Sequence, residues 1–389
     1  MGKRIALTAL FVMFVCSTSG FAATAPLFER YYAIGDSLTH GFQSGAVEET
    51  RQPLAYAPRI AALMGTEFNL PLLKFPGYLV NIEDVAKGNI RWWQYYYPLT
   101  GGSRVDGYDD QNSVNNFSIT GTTMSQIFTH SGSEGGFFKL VLGSDGDPAL
   151  DQALAKNPTF LSVWLGNNDV LGAALSTDTA ALTPIEDFRD DFEYLISRIA
   201  SKDSIQGVVI MNVPDVTCIA YLDEADNPDL PAGSYKPFWL YEATEGIVLT
   251  PDEVELIGQR NAEINQEISD AAYANGWAFV DVHEIFSEIK AYGHELKDQY
   301  GAGSGVFIST DYLGGLFSLD GVHPSVTGHA VAANHIIEGI NGTYGTGLGY
   351  VDEYQASQTD TLFQDPYDPR GLINGWIGRS LHFIIDLFD

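Results

Sequence analysis

"AIGDSLTHGF" (Ala33–Phe42) decides how this chain is read. The apolar run Tyr31–Gly35 stops at a glycine, and an aspartate and a serine follow at once, with a second glycine at Gly41. An unbroken apolar run is the pattern of a strand buried on both faces. Gly, Asp and Ser are the ordinary residues of turns and helix caps. The stretch therefore predicts a strand ending in a turn that carries Ser37. Two readings follow from it alone: Ser37 is a nucleophile at a strand end, or a small polar residue where the chain bends.

The same punctuation recurs along the chain. Apolar runs at Phe117–Ile119, Thr159–Leu165, Gly207–Val213 and Ala278–Val282 alternate with helical patterns at Pro53–Met64, Ala149–Lys156, Pro184–Ser201, Pro251–Asn275 and Pro324–Ile340. In the third helix Phe188, Phe192, Leu195, Ile196 and Ile199 share one face. Thr250 is placed to cap the fourth, and Gly276 to end it. Alternating strands and helices predict an α/β protein with a doubly wound parallel sheet covered on both faces. Such sheets carry their sites at the carboxyl ends of the strands. Gly35-Asp36-Ser37, Gly121 and Gly166–Asp169 all fall at such ends.

Composition narrows the function. The chain has 389 residues, 45% of them hydrophobic and 18% charged, which fits a folded globular protein. Its net charge of -30 repels phosphate backbones, so no nucleic-acid partner is expected. Lys3 and Arg4 precede an apolar run, Ile5–Cys16, that is too short to span a bilayer and is followed by small residues through Ala23. This predicts a signal peptide over 1–22, a secreted or periplasmic product, and no transmembrane segment in the mature chain. Val15 is not the small residue that a lipid-anchored Cys16 would need before it. Removing the signal leaves Cys218 alone, so no internal disulfide is expected.

Hydrolysis by a serine needs a nucleophile, a base, a group that orients the base, and donors for an oxyanion. His323 lies in "LDGVHPS" (Leu319–Ser325), three residues after Asp320. That spacing is about one helical turn, so carboxylate and imidazole can lie side by side. Asp320 can accept from one ring nitrogen while the other takes a proton from Ser37. "LGNND" (Leu165–Asp169) ends an apolar run, and Asn168 can turn its amide N–H into the space above the sheet. Gly121 can bring a backbone N–H close because it has no side chain. With the Ser37 N–H these make three donors. Each residue also has a plain alternative as a turn, cap or helix-start residue.

Four blocks in order, Gly35–Ser37 ("GDS"), Asn116–Gly121 ("NFSITG"), Gly166–Asp169 ("GNND") and Asp320–His323 ("DGVH"), resemble those of the SGNH hydrolase superfamily, the GDSL esterases and lipases. The resemblance covers Tyr31 to about Ile340. It implies a three-layer α/β/α, flavodoxin-like fold with a five-stranded parallel sheet. It also implies a serine esterase or lipase that hydrolyses carboxylic esters through an acyl-enzyme. Residue by residue it implies Ser37 as nucleophile, His323 as base and then acid, Asp320 as its orienting carboxylate, and Ser37, Gly121 and Asn168 as the oxyanion hole. Neither metal nor organic cofactor is required by that mechanism. The partner is then a small-molecule ester, such as an acyl ester, a lipid or an acylated sugar. An acyltransferase using the same acyl-enzyme, and a secreted binding module with a dead site, are the alternatives. Because Ser37 and His323 must meet, one hydrolase domain is expected over 27–341. It carries an aromatic-rich insertion at about 67–115 and is followed by an extension over 342–389.

Weaker signals complete the reading. "RWWQYYYP" (Arg91–Pro98) can wall an acyl or sugar pocket, though aromatics at that density more often pack. Asp106, Asp109 and Asp110, or Asp145 and Asp147, lack the spacing of a calcium loop and read as solvated loops. His40 has no carboxylate spaced to orient it, and a surface position is expected. Asn341–Asp365 reads as a polar tail outside the sheet. Beyond it, Leu372, Ile373, Trp376, Ile377, Leu381, Ile384, Ile385 and Phe388 form one helical stripe.

Overall fold

The computed structural model describes residues 26–90, 101–106, 114–144, 146–240 and 248–370. The expected signal peptide, the Arg91–Pro98 aromatics and the C-terminal stripe lie outside the described residues. So do Asp109, Asp110 and Asp145.

Eight strands lie among the described residues: β1 (Tyr31–Gly35), β2 (Phe160–Trp164), β3 (Gly207–Met211), β4 (Leu222–Glu224), β5 (Tyr235–Pro237), β6 (Ala278–Val280), β7 (His294–Lys297) and β8 (Gly303–Ile308). The central sheet runs in the order β1-β2-β3-β6 and is parallel throughout. β1, β2 and β3 are almost wholly buried, as their apolar sequences require. β4 with β5, and β7 with β8, form separate antiparallel pairs.

The register sets up the site. Gly35 lies opposite Trp164, Trp164 opposite Met211, and Met211 opposite Val280. The four strands therefore end in one row, and the loops that follow them leave the sheet along a single edge.

A fifth strand, expected at Phe117–Ile119, is only partly formed. That segment runs beside β1 in parallel, with Phe117 N–H donating to Ala33 O and Ile119 N–H to Gly35 O, each at 2.9 Å. It makes a single bridge, Ala33 with Asn116, and not a continuous ladder. The reason is local. Asn115 Nδ2 donates to Tyr31 O, and Asn116 uses its side chain to bind Thr39 O and its own neighbour Ser118 N–H. Side-chain amides thus take over part of what a ladder would do.

Helices cover both faces. The Tyr56–Met64 helix packs on Val326–Tyr344, and the Pro251–Asn275 helix packs on Ile185–Ala200 and Asn168–Ser176. Phe188, Phe192, Leu195 and Ile199 form the buried stripe of their helix. Thr250 and Glu253 make a reciprocal capping box, and Gly276, at φ +66°, closes that helix in the left-handed region. The last core helix begins at Val326, not Pro324, because the Ser325 hydroxyl caps it by accepting from Gly328 N–H at 3.0 Å. It runs past Asn341 to Tyr344 before Gly345 ends it.

The stretch after it lies outside the sheet but is firmly attached. Asp360 accepts from both Thr327 N–H (2.9 Å) and Thr327 Oγ1 (2.8 Å). Glu353 is buried against His294 Nε2 at 2.9 Å and Asn334 Nδ2 at 2.8 Å.

Candidate active site

Ser37 opens a one-turn helix, Ser37–His40, directly after β1. Asp36 caps that turn, its Oδ1 accepting from Leu38 N–H at 3.0 Å, and Gly41 at φ +87° ends it. Gly35 is required by close packing: a Cβ there would stand 2.2 Å from Thr39 Oγ1 and 3.0 Å from the Trp164 carbonyl oxygen. The turn is therefore pressed against the sheet, and Ser37 is held at its top edge.

His323 and Asp320 arrive from the far end of the sequence. His323 Nε2 lies 2.8 Å from Ser37 Oγ, and His323 Nδ1 lies 3.1 Å from Asp320 Oδ2. All three residues are buried. Asp320 Oδ1 accepts from the backbone N–H of Val322 and of His323, and Oδ2 also accepts from Gly45 N–H at 3.0 Å. Burial pushes the Asp320 carboxyl up. The His323 charge and ring hydrogen bond, with the two backbone N–H groups, outweigh it and hold the carboxyl below its usual range. The Gly45 bond comes from a tight loop whose Ser44 exchanges hydrogen bonds with Ser318 Oγ and Leu319 N–H. Phe42 packs against the His323 ring with centroids 4.4 Å apart.

The two remaining predicted residues lie on neighbouring loops. Gly121 has φ +82°, a left-handed conformation that favours glycine. Asn168 is the first residue of its helix, and its Nδ2 donates to Thr122 O at 2.8 Å. That bond fixes Asn168 to the residue after Gly121 and leaves its second amide hydrogen for another acceptor. Thr120, just before Gly121, is bound to His40 through Oγ1 and Nδ1 at 3.0 Å. The Ser37 turn and the Gly121 loop are thereby joined.

His40 corrects the expected surface position. It is fully buried, edge-on to Phe137 at 5.6 Å, and burial lowers its pKa to about 3. Its role is to link Ser37's helix to Thr120, which no local spacing announces.

Sequence reasoning also left Asp36 and Asn167 without roles. Asn167 Nδ2 donates to Asp36 Oδ2 at 2.8 Å and so ties the ends of β1 and β2 together. Burial raises the Asp36 pKa to about 6, against the opposing effects of Asn167, Leu38 N–H and the His323 charge. The "GD" and "GNND" letters are the only signal that could have paired them. Of the acidic loops, Asp106 pairs with Arg104.

A narrow crevice of about 30 Å³ opens beside Ser37 and His323, walled mainly by apolar residues including Leu38, Leu171, Val213, Ile219 and Phe286. A larger cavity of about 610 Å³ lies elsewhere, between Tyr292, Phe307 and Phe363, and none of the predicted site residues lines it. Of these two spaces, the crevice is the one that adjoins Ser37 and His323.

The family model described as GDSL-like Lipase/Acylhydrolase matches residues 31–336. Among solved structures, Axe2, an acetylxylan esterase from Geobacillus stearothermophilus, is similar at 16% identity and a TM-score of 0.39, covering 80% of this chain and 94% of that one. LAE5, an alpha/beta hydrolase from the metagenome of Lake Arreo, Spain, is similar at 14% identity and a TM-score of 0.40, with the same coverage. No curated protein sequence matches significantly.

Proposed function

The chain belongs to the GDSL-like lipase/acylhydrolase family and is a carboxylic ester hydrolase, and we propose that it works through an acyl-enzyme on Ser37. The observation that carries this reading is the unbroken chain from Ser37 Oγ through His323 to Asp320, at 2.8 and 3.1 Å. Ser37 Oγ attacks the ester carbonyl while His323 Nε2 takes its proton. Asp320 keeps the other ring proton on Nδ1, which fixes the tautomer that can act as base. The carbonyl oxygen becomes an oxyanion facing the N–H groups of Ser37 and Gly121 and the Asn168 amide. His323 returns its proton to the departing alcohol. Water then attacks the acyl-enzyme with His323 again as base, and the carboxylic acid leaves with Ser37 restored. One catalytic domain over 27–341 is part of the proposal, as is export directed by residues 1–22.

An alkyl fluorophosphonate together with p-nitrophenyl acetate tests the reading. The wild-type protein is expected to be labelled on Ser37 and to turn the ester over, and Ser37→Ala to fold, escape labelling and lose turnover. Normal turnover by folded Ser37→Ala would falsify it.

A further inference from the structure

We propose that Phe286 is the wall that limits how long an acyl group the site accepts, by dividing the crevice at Ser37 from a second apolar space beside it. The inference rests on Ser37 carrying the acyl group and names the substrate class of that site.

The crevice beside Ser37 holds about 30 Å³. A single water needs roughly 10–15 Å³, so the space is narrow and suits a short alkyl chain. Its polar side chains, Ser37, Asn167 and His323, belong to the reacting end, and the rest of the lining is apolar. Leu38, Leu171, Val213, Ile219 and Phe286 have no side-chain polar atoms, so hydroxyls buried against them would lack partners. The alkyl end of an ester is the acyl chain when the alcohol is polar. That chain must also stay in place on Ser37 while water reaches the carbonyl.

A second small space of about 20 Å³ is lined by Trp164, Val280, Ile289, Leu316 and Val331 among others, and again by Phe286. Among the described residues, Phe286 is the one residue common to both linings. It sits on the Val282–Tyr292 helix, which follows β6 at the active edge of the sheet, and is 6% exposed. Its ring is held edge-on to Phe317 at 5.7 Å. Shortening this side chain joins the two spaces and extends the crevice toward Trp164. Enlarging it shortens the crevice.

The test is a chain-length profile. kcat/KM is measured for p-nitrophenyl acetate, butyrate and octanoate with the wild type, Phe286→Ala, Phe286→Leu and Phe286→Trp, each shown to be folded by circular dichroism. Phe286→Leu is included because complete truncation can unfold a core. Ethyl and octyl fluorophosphonates report the same preference through labelling of Ser37 alone. A parallel series of ethyl to octyl acetates varies the alcohol. The wild type should favour acetate, and the octanoate/acetate ratio should rise at least about tenfold in Phe286→Ala or Phe286→Leu, the scale expected when a hydrophobic pocket gains room for methylenes. Phe286→Trp should lower the butyrate/acetate ratio. Unmoved acyl ratios in folded variants overturn the inference, and so does a shift confined to the alcohol series. A wild type that neither turns over any ester nor reacts with either probe overturns the Ser37 reading itself, a result distinct from an unmoved ratio.

Discussion

Asp320 Oδ2 faces two donors, Gly45 N–H and the His323 ring at Nδ1, while Oδ1 takes two more from the backbone. A carboxylate satisfies all four, and an amide cannot, because one of its two heavy atoms only donates. In Asp320→Asn the amide nitrogen would best face Nδ1, which moves the ring proton to Nε2 and leaves Ser37 facing a donor instead of a base. We predict that Asp320→Asn lowers kcat for p-nitrophenyl acetate by about 10⁴, the cost of the wrong tautomer in such triads, with KM changing far less. A loss under tenfold would mean that another acid orients His323.

At the scale of elements, two loops have to meet above the sheet edge. The Asn115–Thr122 segment carries Gly121 and reaches β1 through the Asn115 side-chain amide as well as backbone bonds. The Asn168–Ser176 helix delivers Asn168 against Thr122. Asn168 thus holds the loop with one amide hydrogen and can give the other to the oxyanion. Asn168→Ala should lower kcat by about 10²–10³, the usual effect of losing one such donor. KM should move less, because charge on the carbonyl oxygen develops only in the transition state. Steady-state kinetics decide it: a large KM change with kcat intact would make Asn168 a substrate-binding residue.

For the whole molecule, two buried carboxyls set a pH dependence that opposes the usual one. Burial raises Asp36 and Asp169 to about 6 from an ordinary 3.8. Between those values the folded protein binds protons that the unfolded chain releases. The stabilisation is thus present at low pH and is lost as pH rises through about 6, on the order of 2–3 kcal/mol per group. Asp320 and Glu353 work the other way, since their pKa values are lowered, and their contribution is lost only in more acidic solution. The net charge of -30 adds repulsion that also eases as acids protonate. The melting temperature should therefore be higher near pH 5.5 than at pH 8. Asp36→Asn should narrow the difference: among the described residues Asn167 Oδ1 has no hydrogen-bond partner, so an amide flip there can accept from the new side chain. Calorimetry from pH 4 to 8 checks both, and a melting temperature that climbs steadily to pH 8 would contradict the assignment of these two groups.

Sequence alone indicated the four strands of the central sheet, the main helices that cover them and the strand ends where a site belongs, and it offered Ser37, Gly121, Asn168, Asp320 and His323 as candidates. These follow from local rules: apolar runs, caps and short blocks whose chemistry depends on neighbours a few residues away. The tertiary structure decided what depends on residues distant in the chain. It turned Phe117–Ile119 into a partial strand, because Asn115 and Asn116 spend their side chains on Tyr31, Thr39 and Ser118. It buried His40 against Thr120, paired Asp36 with Asn167, and brought Gly45 to Asp320. It also set the size of the crevice, which depends on Phe286 reaching between two spaces from a helix almost 250 residues beyond Ser37. Spacing along a chain fixes which side chains share a turn or a face, but a cavity or a buried hydrogen bond belongs to surfaces that meet only when the sheet is assembled.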